Sequence, residues 1–134
     1  MNLACVLKDL GDPKGAENFL RNALEINPTY EIALTNLGAV LNELGKIDEG
    51  EEVLKKALKV NPNSPMALNN LGNILSKKNK NNEAELVYRK AIELKSDFSL
   101  AYDNLGYLLS KQGNLIEAEK FTEKAVNFSA SILS

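Results

Sequence analysis

The stretch Ala67-Leu68-Asn69-Asn70-Leu71-Gly72-Asn73-Ile74-Leu75 holds a triplet, Asn70-Leu71-Gly72, that also stands at Asn36-Leu37-Gly38 and at Asn104-Leu105-Gly106. Asn2-Leu3-Ala4 nearly repeats it, and the offset is 34 residues each time. A fixed period of this length marks an array of supersecondary units, each of which needs its neighbours to bury its apolar face. Other columns fall into the same register. Gly11, Gly45, Asn79 and Gly113 align, as do the small residues Ala16, Gly50, Ala84 and Ala118, and then Ala23, Ala57, Ala91 and Ala125. Leu20, Leu54 and Tyr88 share a column that Thr122 breaks.

Each unit reads as two helices. Leu68, Leu71 and Leu75 lie at i, i+3 and i+7, an apolar stripe of helical period, and Leu34, Leu37, Leu41 and Tyr102, Leu105, Leu109 repeat it. Gly45 and Gly113 sit where a left-handed residue ends such a helix, and Asn79 tolerates the same conformation. Asp12-Pro13 offers a cap and a fixed φ for the start of a second helix. Asn27-Pro28 and Asn61-Pro62 stop the second helices of two units, while Lys95-Ser96 takes that place in the next. Glu17 and Arg21, Glu51 and Lys55, and Glu85 and Arg89 form (i, i+4) pairs that mark a solvated face; in the fourth unit Glu119 meets Glu123.

Composition narrows the function. Sixteen basic and 18 acidic residues give a net charge of −2, so no basic field exists to hold a phosphate backbone. No run of 18 apolar residues and no leader-like opening appears, which makes the cytoplasm the default and a membrane unexpected. Histidine is absent, which removes histidine-based triads, general bases and metal ligands. The single cysteine, Cys5, suits a reducing compartment and has no base beside it to activate it. "GDPKGAE" lacks the order of a phosphate-binding loop and reads as a turn and helix start. Glu49, Glu51 and Glu52 crowd a helix start, where the dipole accounts for them without a metal.

The patterns Leu34-x2-Leu37-Gly38-x2-Leu41, Leu68-x2-Leu71-Gly72-x2-Leu75 and Tyr102-x2-Leu105-Gly106-x2-Leu109, with Ala84, Tyr88 and Ala91 following in step, resemble the tetratricopeptide repeat. The resemblance covers nearly the whole chain and implies an all-α, right-handed superhelical solenoid of antiparallel helix hairpins, about 3.5–4 repeats and seven to eight helices. The units run 1–30 (partial, its first helix about Met1 to Leu10), 31–64, 65–98 and 99–132, in one domain over 1–134. Leucine stands where the family often has tryptophan. The chain stops soon after the fourth unit, and "SASILS" is too short for the solvating helix common in the family, so both ends are expected to expose apolar stacking surface.

Within the triplet, leucine and glycine are assigned to packing. Ala4 stands in the glycine column, so the position asks for smallness rather than a special φ, and Ala16, Gly50, Ala84 and Ala118 are the expected facing side. Asparagine, a mediocre helix former, falls away from the leucine stripe on a helical wheel. In tetratricopeptide-repeat proteins that face lines a concave groove for extended peptides, and some members, like the superhelical glycosyltransferase and kinesin light-chain repeats, hold a peptide main chain with such an asparagine ladder. The resemblance therefore implies as groove candidates Asn36, Asn70, Asn104, Asn73, Tyr107, Asn69, Asp103, Met66, Lys77 and Lys111. The alternative is that the asparagines bond a neighbouring helix or water. The residues of the carboxylate clamp that binds chaperone tails are missing, since Met1, Cys5, Met66 and Asn70 occupy its outer positions. The expected function is protein–protein interaction without catalysis, cofactor or metal, with a protein or peptide ligand and no nucleic acid. The alternatives are self-association through exposed repeat ends, and an arm of a larger enzyme.

Overall fold

A computed structural model describes residues 11–133, with side-chain burial through residue 130; the expected helix over Met1 to Leu10, and Cys5 on it, lie outside the described residues. Seven helices follow one another: α1 Pro13–Ile26, α2 Glu31–Glu43, α3 Ile47–Val60, α4 Pro65–Lys77, α5 Asn81–Leu94, α6 Ser99–Lys111 and α7 Leu115–Leu133. No strand occurs among the described residues. In the 34-residue register α2, α4 and α6 are the first helices of their units, and α1, α3, α5 and α7 the second.

The punctuation follows the sequence. Gly11, Gly45 and Gly113 take φ of 82°, 81° and 85°, and Asn79 takes 61°, so one left-handed residue stands just before each of α1, α3, α5 and α7. The Asp12 carboxylate accepts from Gly15 N at 2.9 Å, and the Ser64 hydroxyl accepts from Ala67 N at 3.2 Å, capping α1 and α4. Asn27, Asn61 and Lys95 adopt nearly identical extended conformations at the ends of α1, α3 and α5, with ψ of 92° to 93°. Lysine at the third site thus ends its helix as the two asparagines do. The last second helix is longer than the others, 19 residues against 14, and carries Phe128 onto the Tyr102 ring at 5.4 Å.

Inside each hairpin the triplet glycine is the point of closest approach. A methyl group at Gly38 would stand 2.4 Å from Leu54 Cγ, at Gly72 2.5 Å from the Tyr88 ring, and at Gly106 2.6 Å from Thr122 Oγ1. The main facing column is therefore Leu54, Tyr88 and Thr122, which corrects the expectation of a purely small-against-small contact. The small column assists: a methyl at Gly106 would also meet the Ala118 carbonyl at 3.2 Å, and one at Gly50 the Gly38 carbonyl at 3.4 Å. Thr122, which breaks the apolar column, turns its hydroxyl back to donate to Ala118 O at 2.9 Å.

Between units the packing is asymmetric. Successive first helices contact each other, α2 with α4 and α4 with α6, whereas successive second helices do not approach at the backbone. A stack tight on one side and open on the other bends, with the first helices on the inner face. Long charged side chains span the open side. Arg21 reaches Glu49 at 2.6 Å and Arg89 reaches Glu117 at 2.7 Å, while Lys46 meets Glu17 at 3.1 Å and Lys78 meets Glu51 at 2.8 Å. Glu17 and Glu51 are only 4% and 6% exposed. The (i, i+4) pairs at 2.9, 2.7 and 2.9 Å form as expected, but Glu17 and Glu51 are buried inter-unit links rather than a purely solvated face.

Candidate functional site

Along the inner face two depressions join. One, of about 370 Å³, lies between α2 and α4 and is lined by Ala39, Asn42, Glu43, Asn70, Asn73 and Lys77. The other, of about 360 Å³, lies between α4 and α6 and shares Asn42, Asn73 and Lys77 with the first before continuing to Asn104, Tyr107 and Lys111. The register explains this convergence: side chains at one helical position, repeated every 34 residues, stand side by side once the first helices pack together.

The candidates separate into two groups. Asn70 Nδ2 donates to Thr35 O at 3.3 Å, and Asn104 Nδ2 donates to Asn69 Oδ1 at 3.0 Å. Each ladder asparagine thus reaches back to the preceding first helix while still lining the groove. Asn36 is half-buried; the residue at the matching offset before it lies outside the described residues. Asn69 is 2% exposed and belongs to the seam between α4 and α6. Asn73, Tyr107, Lys77 and Lys111 line the depressions directly. Tyr107 is 67% exposed, with the Lys111 ammonium 5.5 Å over its ring. Lys77 extends toward Asn42 O at 3.5 Å. Met66 is exposed, as is Ile32 at the same position of the preceding unit, and neither lines the two depressions. Asp103 falls away from the others, toward a separate depression between α6 and α7.

One contributor escaped the sequence. Tyr88, from the second helix α5, lines the inner depression, and its phenol donates to Asn73 Oδ1. Burial pushes this phenol up from its ordinary range, so it stays a donor at neutral pH. Its column gave only a packing signal. Asn42 lines both depressions, and its Oδ1 is buried without a hydrogen-bond partner among the described residues. Asn81 Oδ1, at the start of α5, shares that condition away from the groove. An orphaned buried acceptor costs about 1–3 kcal/mol and is relieved by an incoming N–H. The second depression pairs two ammonium groups with amides, hydroxyls and no carboxylate, while Glu43 lines the first.

This arrangement presents hydrogen-bonding groups along an inner helical face. Among the described residues no group of three or more histidine, cysteine, aspartate or glutamate side chains is placed to hold a metal. Family models described as tetratricopeptide repeat or TPR repeat match residues 7–71, 72–113 and 100–134. The chain belongs to the tetratricopeptide repeat family. Among solved structures, MamA aligns over 98% of this chain and 77% of its own at 23% identity, with a TM-score of 0.79. PilF of Pseudomonas aeruginosa aligns over 95% and 58% at 26% identity, with a TM-score of 0.83. An O-GlcNAc transferase mutant from Thermobaculum terrenum aligns over 79% of this chain and 20% of its own, at 26% identity and a TM-score of 0.77. No curated protein matches the sequence. These likenesses bear out the tetratricopeptide-repeat solenoid. No described helix is long and apolar enough to cross a membrane.

Proposed function

We propose that this tetratricopeptide-repeat chain is a protein-interaction scaffold whose inner groove takes an extended or helical segment of a partner. The observation that carries the reading is the run of hydrogen-bonding side chains along the groove from Asn42 through Asn73 to Tyr107. Asn42 Oδ1 lacks a donor, and Tyr107 stands 67% exposed beside Lys111. Amide groups pair with main-chain N–H and C=O whatever the partner's side chains, and an exposed tyrosine is an effective anchor. Asn70 and Asn104 serve this reading mainly by holding the groove wall in register. A cytoplasmic setting suits the single cysteine.

The test is affinity capture from lysate with wild type beside a Lys77→Glu/Lys111→Glu/Tyr107→Ala variant. All three side chains are exposed, so the variant should keep its helical circular dichroism. Loss of the captured proteins supports the groove; capture of the same proteins in the same yield refutes it. A second reading, an arm of a larger enzyme, draws on the match to 20% of the O-GlcNAc transferase chain.

A further inference from the structure

Among the described residues, the columns that bury one unit against the next end on uncovered groups at α6 and α7. Leu24, Leu58 and Ile92 are half-buried against the core, whereas Val126 in the same column is 62% exposed. Thr35 and Asn69 are buried beneath the following first helix, whereas Asp103 is exposed. Glu17 and Glu51 are buried by lysines of the following unit, whereas Glu119 is exposed. Two depressions of about 470 and 520 Å³ meet here at Val126. Leu100 and Leu115, 53% and 65% exposed, supply further apolar surface.

Charge decides what fits. In the units before, each acid of this face has a basic residue four positions on: Arg21, Lys55 and Arg89. Arg21 and Arg89 then reach a glutamate on the second helix of the following unit. The fourth unit has Glu123 at that position, and neither Glu119 nor Glu123 has an ion-pair partner among the described residues. With Asp103, three carboxylates and no lysine or arginine line the two depressions. An occupant shaped like what covers this face in the earlier units is a helix with an apolar stripe. At this end it must carry cations at both flanking positions, where the first unit accepts Lys46 at Glu17 and Glu49 at Arg21. A head-to-tail second copy fits worse, because Asp12 stands in the register position of Lys46 and would meet Glu119.

We propose that the α6–α7 end face docks a basic amphipathic helix of a partner protein, with Val126, Leu115 and Leu100 covering its apolar stripe and Glu119, Glu123 and Asp103 pairing its lysines or arginines. The site is separate from the inner groove and stands or falls independently of it.

The test uses a synthetic amphipathic helix of leucine and lysine, and the same peptide with every lysine replaced by glutamate, titrated into isotope-labelled protein. The lysine peptide is expected to shift the amides of Leu115, Thr122 and Val126, to leave Tyr107 unmoved, and to weaken with added salt. Glu119→Lys/Glu123→Lys, both exposed and checked for fold by circular dichroism, should reverse the preference between peptides by at least about tenfold in Kd. Lys77→Glu/Lys111→Glu should leave this binding unchanged. Equal binding of both peptides, shifts confined to the groove, or indifference to the charge reversal would overturn the proposal. So would a concentration-dependent dimer in light scattering that the same charge reversal abolishes, since a second copy would then own the face.

Discussion

Gly72 and Gly45 are both glycines for opposite reasons, and alanine separates the two. At Gly72 a methyl group would lie 2.5 Å from the ring of Tyr88, which is 2% exposed and tied by its hydroxyl to Asn73. Overpacking costs about 1–3 kcal/mol and the gain in helix propensity returns about 1 kcal/mol. Gly72→Ala should therefore destabilise by up to about 2 kcal/mol in urea unfolding, although alanine is the better helix former. At Gly45 nothing lies within 4 Å of a new methyl, but φ is 81°. Gly45→Ala should cost about 1 kcal/mol through the left-handed backbone. Gly45→Asn should cost less, as Asn79 occupies the equivalent turn at 61°. An equal loss from both Gly45 variants would refute the conformational account. The period and both glycine roles were legible because each recurs in a column. The direction of the asparagines was not. A helical wheel shows that Asn70 leaves the leucine stripe, but its bond to Thr35 O depends on how closely α2 and α4 approach.

Among the helices, α3 shows how charge joins units that the backbone leaves apart. The ammonium groups of Lys55 and Lys78 hold the Glu51 carboxyl down to about 2. Glu17 is also lowered: burial raises it, but its hydrogen bonds to Arg21 and Lys46 outweigh that. In the unfolded chain a glutamate takes up its proton near pH 4.3. The folded carboxylates resist protonation longer, so acid favours the unfolded chain. Their stabilisation is complete above about pH 5 and is lost as the pH falls through 4 toward 2. Thermal unfolding between pH 7 and 2.5 should therefore show a shallower acid decline for Glu51→Gln than for wild type, with the variant less stable at pH 7. Parallel curves would mean that the pair contributes nothing. The intra-helical half of this network was readable from (i, i+4) spacing. The inter-unit half was not: Lys46 and Lys78 follow their glutamates by 29 and 27 residues and share no column.

For the molecule as a whole, stability is a sum of unit terms and nearest-neighbour interfaces rather than one global core. The hairpin α4–α5 contacts neighbours on both sides, through α2 and α3 before it and α6 after it. The last hairpin, α6–α7, has a neighbour only on its amino-terminal side among the described residues, and its other face leaves Leu115 and Val126 in solvent. Native-state hydrogen exchange should accordingly be graded, with the slowest amides in α4 and α5 and faster ones in α7 beyond Val126. The basic amphipathic peptide should slow exchange in α7 while leaving α4 nearly unchanged, because binding to one end adds an interface term only there. Uniform exchange across α4 and α7 would mean that the stack opens as a single cooperative unit. A gradient that the peptide leaves untouched would instead keep the modular stack and remove its end as a docking site. The groove and the end face thus impose different signatures, since a ligand lying across α2, α4 and α6 must protect all three first helices together.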